Sequence, residues 1–295
     1  MALIGSFLLD IPRGISCYAD HLLKDYELKL VPLHLELCNI VVATSNRIKE
    51  ELLGIAPQVD PTRIIIKPNA INTEIFPYIK RENPKEGEPF RIACVCRIEP
   101  KKGLLYLVEA IKILKQQGHN VKLNIIGSED QDSELSQEYK HRLESLISRF
   151  KLRDSVYLEG WRNENEVKNF LQAAHLFVAP FIETDYGDKD GIPTSLLEAM
   201  SSGLPSVATY TGSIPEVIDN GIEGIMVPQR NAQALALAIG DLIRDANLCA
   251  RLGKNAARKI RAKFDVRVCE KVFHNRLTEV LKGKKISEEG FDLNA

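Results

Sequence analysis

Sixteen consecutive residues carry most of the chain's chemistry: Asp190-Gly-Ile-Pro-Thr-Ser-Leu-Leu-Glu-Ala-Met-Ser-Ser-Gly-Leu-Pro205. They follow an apolar, strand-like run, Leu176–Ala179, and join a glycine turn to a helix start. Such a junction presents unpaired N–H groups and the positive end of the helix dipole. That makes an anion site, and phosphate is its usual anion. Glu198 lies inside the helix, eight positions after Asp190. A carboxylate there repels phosphate and is suited to accepting hydrogen bonds from sugar or ribose hydroxyls. The segment therefore predicts a pocket for a molecule that carries both phosphate and hydroxyls.

Other residues fall at predicted strand ends. Arg97 and Lys102 follow the expected strand Arg91–Cys96. One offers a planar fork and the other a point charge, a pair able to clamp a diphosphate. Taken alone, with Lys101 beside them, they read as a solvated loop. Glu183, Asp185, Asp188 and Asp190 crowd the loop before the glycine turn. That loop holds no histidine and no standard ligand spacing, so no metal site is expected. In Thr211–Glu216, Gly212 turns the chain, Pro215 suits a first helical turn and Glu216 sits near a helix start. All of this reads as structural. His119, His141, His175 and His274 are expected on loops or helix surfaces. His21, after Asp20 and a strand-like stretch over 13–19, is placed towards a cleft between domains. The six cysteines are expected to be reduced thiols, with Cys94 and Cys96 on opposite faces of their strand.

The elements that must position these groups are legible as an alternation of strands and helices. The net charge of −1 supplies no field to attract nucleic acid. The first residues lack the basic segment of a secretory leader, and no apolar run is long enough to span a membrane. Basic residues Lys24, Lys29, Arg47 and Lys49 are interrupted by Glu27, Glu50 and Glu51 and read as a solvated face. Strands are expected over 39–44 and 63–67, with helices over 28–37 and 46–53. A charged, proline-containing stretch, 78–89, breaks the pattern and reads as a linker. The alternation then resumes through residue 282. Strands alternating with helices predict parallel sheets covered on both faces. Residues 90–265 form a complete doubly wound unit by this reading. The region before it lacks a glycine-rich first βα turn.

Several segments, in order, resemble the retaining GT-B glycosyltransferases, of the glycosyltransferase family 4 (group 1) type. Pro68-Asn-Ala-Ile-Asn-Thr-Glu-Ile-Phe76 resembles that family's domain junction. Arg97-Ile-Glu-Pro-Lys-Lys-Gly103 resembles its G-R-[LI]-x-x-x-K-G segment. Asp190–Pro205 resembles the stretch holding its two glutamates. Gly212-Ser-Ile-Pro-Glu-Val-Ile218 and Gly221–Pro228 resemble two further motifs. The resemblance implies an α/β, GT-B-like fold of two doubly wound Rossmann-like domains, the N-terminal one truncated. Its expected divisions are an acceptor-side domain over 1–78, a linker over 79–89, a nucleotide-sugar-binding domain over 90–265, and a helix and tail over 266–295.

The resemblance also implies roles. Arg97 and Lys102 would hold the donor diphosphate and stabilise the leaving phosphate, and Asp190 would contact the donor sugar. Gly191, Ile192, Pro193, Thr194 and Ser195 would line the donor, and Glu198 would bind the ribose. Asp20 and His21 are the acceptor-side candidates. The implied reaction moves a hexose from a UDP- or GDP-sugar, with retention, to a glycan, lipid-linked or small-molecule acceptor. Fixed cations on the leaving diphosphate would stabilise its developing charge without a metal or resident cofactor. The rival reading is an inactive nucleotide-sugar-binding module, or a subunit whose N-domain a partner chain completes; a sugar-nucleotide epimerase is a weaker third. The expected location is the cytoplasm, with peripheral contact at the inner membrane face left open. Two departures bear on the site. Asp190 stands in place of glutamate, shortening the arm by about 1.5 Å, and Cys96 replaces the glycine before Arg97.

Overall fold

Short runs of Ile, Val, Leu and Ala bounded by polar residues become parallel strands here, and Ile40–Ala43, Leu176–Ala179 and Ser206–Thr209 are buried on both faces. The computed structural model describes residues 12–17, 31–82 and 84–282. Asp20 and His21, the expected helix over the first nine residues, residues 28–30 of the second expected helix and the tail from 283 lie outside the described residues.

Among the described residues, the first unit holds β1 (Gly14–Cys17), α1 (Val31–Leu37), β2 (Ile40–Ala43), α2 (Asn46–Ile55) and β3 (Ile64–Ile66). Its three strands pair in the order β1-β2-β3, all parallel. Every residue of β2 is buried. Leu35, Val41, Ile48, Leu52 and Val59 form its core. Ser45 starts α2 as an N-cap, accepting from the Ile48 amide at 3.2 Å.

The second unit begins with β4 (Phe90–Val95), α3 (Leu104–Gln116), β5 (Val121–Ile126), α4 (Glu134–Arg149) and β6 (Val156–Gly160). It continues through α5 (Glu164–Ala173), β7 (Leu176–Ala179), α6 (Thr194–Ser201), β8 (Ser206–Thr209) and β9 (Ile225–Val227). Three helices complete it: α7 (Ala232–Arg244), α8 (Ala246–Lys263) and α9 (Val266–Leu281). Its six strands run parallel in the order β6-β5-β4-β7-β8-β9. Chain order therefore runs outward one way from β4 and the other way from β7, the doubly wound arrangement. One core packs Leu107, Ile111, Leu143 and Ile239 on one face of this sheet. The other packs Leu196, Leu197, Ala256 and Ile260 on the opposite face.

The junction between the units is pinned along its length. Ile71 exchanges backbone hydrogen bonds with the start of α9: its amide donates to the Phe264 carbonyl (3.0 Å) and its carbonyl accepts from Val266 (2.9 Å). The Thr73 hydroxyl donates to Asp265 at 2.6 Å. From α9, Glu270 reaches back to Lys67 at 2.7 Å, and Phe273 lies under the same ammonium. Within the stretch expected as a linker, Arg81 donates to the carbonyls of Leu171 (2.9 Å) and Gln172 (2.6 Å) and to that of Ser202 (3.1 Å). One guanidinium thus satisfies the C-terminal carbonyls of α5 and α6, where a cation also meets the negative end of each dipole. Burial lowers its pKa to about 10.

Two expectations need correction. Cys94 and Cys96 do not face apart: their sulfurs lie 3.7 Å from each other. Residues two apart share a strand face, since side chains alternate with a period of two. His175 is not a surface residue. It is buried, its Nδ1 accepts from the Arg91 amide at 2.8 Å, and burial lowers its pKa to about 4.

Candidate functional site

Open parallel sheets bind ligands outside the carboxyl ends of their strands, where strand order reverses. Here that point lies between β4 and β7, and the two loops leaving those strands carry Arg97, Lys102 and the stretch from Asp190 to Pro193. They are pressed together at Gly103. Its φ is +62°, and a Cβ would lie 2.0 Å from the Pro180 carbonyl oxygen. Only glycine meets both conditions.

That approach sets Lys102 against the second loop. Its Nζ lies 2.6 Å from Asp190 Oδ2 and 3.7 Å from Glu99 Oε1, above the Phe181 ring. Both the lysine and aspartate side chains are largely buried. Lys101 pairs in the same way with Asp188 at 3.1 Å. Arg97 is different: its side chain is 61% exposed, and Nη2 reaches Glu99 at 3.1 Å. One predicted cation is therefore fixed by the predicted sugar-contacting acid, and the other stands open to solvent.

The start of α6 is the predicted phosphate cradle. Pro193 occupies the N-cap and supplies no side-chain cap. Gly191 and Pro193 are half-buried, Thr194 is exposed, and Ile192 is 2% exposed in the core. The Ser195 hydroxyl donates to the Val95 carbonyl at 2.7 Å, tying the helix start to the end of β4. Glu198 follows Thr194 by one turn on the same helix face. Its pKa is raised to about 7, first by burial and then by the charge of Glu164 at the start of α5. Among the described residues, no group of three or more His, Cys, Asp or Glu side chains is placed to hold a metal ion.

The first unit also reaches this loop, which the residue pattern did not reveal. The Glu216 carboxylate, expected beside its own helix start, instead accepts from the first amides of α2: Asn46 at 2.7 Å and Arg47 at 3.0 Å. Ser45 and Ser213 join their hydroxyls at 2.8 Å. The Arg47 guanidinium meets the Ser213 hydroxyl at 3.1 Å and the Asp190 carbonyl at 3.4 Å. Asn69 donates to the Ile192 carbonyl at 3.0 Å. Asn69 and Glu216 lie in segments the resemblance had marked. Arg47, read as part of a solvated face, is largely buried instead.

The profile of the family described as "Glycosyl transferases group 1" matches residues 76–259. The chain belongs to this glycosyltransferase family. Its segment 90–227, holding both loops and the six-stranded sheet, lies within the match. The amylovoran biosynthesis glycosyltransferase AmsK of Erwinia amylovora is 31% identical over 227 residues, covering 77% of this chain and 51% of AmsK. The putative colanic acid biosynthesis glycosyltransferase WcaL of Escherichia coli is 34% identical over 181 residues, covering 61% and 43%. The chain thus spans about half the length of the curated relatives it matches. These relatives are glycosyltransferases of polysaccharide biosynthesis. Among solved structures, Anabaena HepE in complex with UDP superposes with a TM-score of 0.81 at 19% identity, over 94% of this chain and 75% of that one. Sucrose-phosphate synthase from Thermosynechococcus elongatus gives 0.77 at 22%, over 95% and 71%. The fold is GT-B-like, with parallel Rossmann-like units. No helix among the described residues is long and apolar enough to cross a membrane.

Proposed function

We propose that this chain binds a UDP- or GDP-sugar between the loops after β4 and β7. There it forms the donor side of a retaining, metal-independent hexosyltransferase of polysaccharide assembly. The acceptor is a glycan, a lipid-linked saccharide or a small molecule. The observation that carries this reading is the 2.6 Å pairing of Lys102 with Asp190 at the switch point, beside a helix start that no side chain caps.

Each residue then has a task set by its surroundings. Lys102 exchanges its carboxylate partner for the donor diphosphate, and Arg97 closes over the same group from the solvent side. The cations stabilise charge as it develops on the leaving diphosphate. Asp190, released from Lys102, accepts a hydroxyl of the sugar. Gly191, Ile192, Pro193, Thr194 and Ser195 present backbone to the donor. Glu198 accepts the ribose hydroxyls, and its neighbour Glu164 disfavours any anion in that position. The expected divisions follow the same logic: acceptor side over 1–78, linker over 79–89, donor side over 90–265, and a returning helix and tail over 266–295. The grip of Lys67 on Glu270 supports α9 as a brace between the two units.

The test is turnover. The chain is incubated with UDP-hexoses and GDP-hexoses in chelator, with water or an added saccharide as acceptor, and the product anomer is read by NMR. The proposal expects one donor class to react, giving a product with the donor's anomeric configuration. An inverted product, or turnover only on addition of a divalent cation, contradicts it.

A further inference from the structure

We infer that Arg47 is a positioning residue for the donor-sugar contact, acting on Asp190 from the three-stranded unit without touching the donor. The inference rests on the donor-site reading above and extends it to sugar selectivity.

The backbone of Asp190 is held from two sides. Its carbonyl accepts from the Ser213 amide at 3.3 Å and from the Arg47 guanidinium at 3.4 Å. It is also packed against Gly212, where φ is +55° and a Cβ would lie 1.9 Å from that carbonyl oxygen. Gly212 leaves the acid loop room to lie flat on the turn, and Arg47 fastens it there.

Arg47 itself has little freedom. Its side chain is 17% exposed, Nη1 meets Glu51 at 2.7 Å and Nε meets the Ser213 hydroxyl at 3.1 Å. The start of its helix is clamped by Glu216, whose two oxygens take the Asn46 and Arg47 amides. A carboxylate is favoured at that positive end of α2. The helix, the turn at 213–216 and the Asp190 loop therefore move as one body. A contact to a single sugar hydroxyl tolerates about 0.5 Å of error. Asp190 has a short arm, so its reach is set by its backbone, which Arg47 holds together with the Ser213 amide. The phosphate-facing groups Lys102 and Arg97, and Glu198, stand on the six-stranded unit and need no help from α2.

The inference separates the sugar from the nucleotide. Calorimetric titration with UDP and UDP-glucose (GDP and GDP-mannose for a guanine site) measures how much the hexose adds to affinity. In Arg47→Ala the nucleoside diphosphate affinity should stay within about twofold, while the gain from the hexose falls roughly tenfold, the scale of one lost charged hydrogen bond. Arg47→Lys keeps a cation that reaches Ser213 but lacks the fork, and should recover part of the gain. Glu216→Gln should show a smaller loss in the same direction. An unchanged hexose gain in Arg47→Ala, or an equal weakening of both ligands, overturns the inference while leaving the donor site intact. If Arg47→Ala does not fold, Arg47→Lys decides: a hexose gain equal to wild type overturns the inference. Failure of the wild-type chain to bind any nucleoside diphosphate sinks the donor reading and this inference with it.

Discussion

The two units contribute to one loop by different means. The six-stranded unit supplies charged side chains from strand ends, Lys102 on one loop and Asp190 on the next, paired at 2.6 Å. The three-stranded unit supplies a helix start and an arginine that grip backbone and Glu216. The first kind of contribution depends on residue type and on spacing from a strand. The second depends on where a separate sheet comes to rest. The charged pair thus belongs to one unit, and the grip on its loop is shared with the other.

That contrast can be broken at either end. The largest expected effect is at the buried pair. Lys102→Ala removes a cation assigned to the diphosphate and leaves the Asp190 carboxylate facing the phosphates, so a charged hydrogen bond is lost and a repulsion gained. Nucleoside diphosphate affinity, read by calorimetry, should fall by about a hundredfold or more. Survival of tight binding would mean that the β4 loop does not hold the phosphates. Next comes Arg81→Ala, which leaves helix-end carbonyls in two helices without their donor. Urea unfolding should show a loss of about 2 kcal/mol, with no need for any ligand. An unchanged midpoint would show that water replaces the guanidinium at no cost.

Arg97→Ala should be milder. An exposed cation contributes less, so diphosphate affinity should drop roughly tenfold at low salt and less at high salt, with no change in thermal midpoint. A large stability loss would show that Arg97 is structural after all.

The smallest effect is a pH dependence. The folded pKa of Glu198, about 7, lies above its ordinary 4.5. The folded chain therefore binds more protons than the unfolded chain between these values, and this group's contribution to stability falls as pH rises through that window. Glu198→Gln should raise the melting temperature at pH 8, with the advantage shrinking towards pH 5. Ribose hydroxyls favour the ionised form, so nucleotide binding near pH 6.5 should release protons. Equal binding enthalpies in buffers of different ionisation heat would contradict that.

Most of the six-stranded unit's architecture was readable from residues alone. The helices Leu104–Gln116 and Thr194–Ser201 lie where apolar spacing and their flanking glycine and proline placed them. Arg97, Lys102 and Asp190 stood out because they follow strands. Their mutual distances did not, since these depend on Gly103 lying against Pro180. The cysteine pair was misplaced by a parity error: Cys94 and Cys96 are two apart and share a face. Arg47 left no signal. A basic residue near Glu50 and Glu51 on an amphipathic helix has the same pattern whether water or another sheet covers it. Asp20 and His21 fall outside the described residues.

The most direct test of the central claim is a calorimetric titration of the purified chain with UDP, GDP and ADP in chelator, repeated with Glu198→Ala. The account predicts that one of these nucleotides binds without metal and that Glu198→Ala abolishes or sharply weakens its binding. Binding of none of them, or binding indifferent to Glu198, would contradict a nucleotide-sugar site at the junction of β4 and β7.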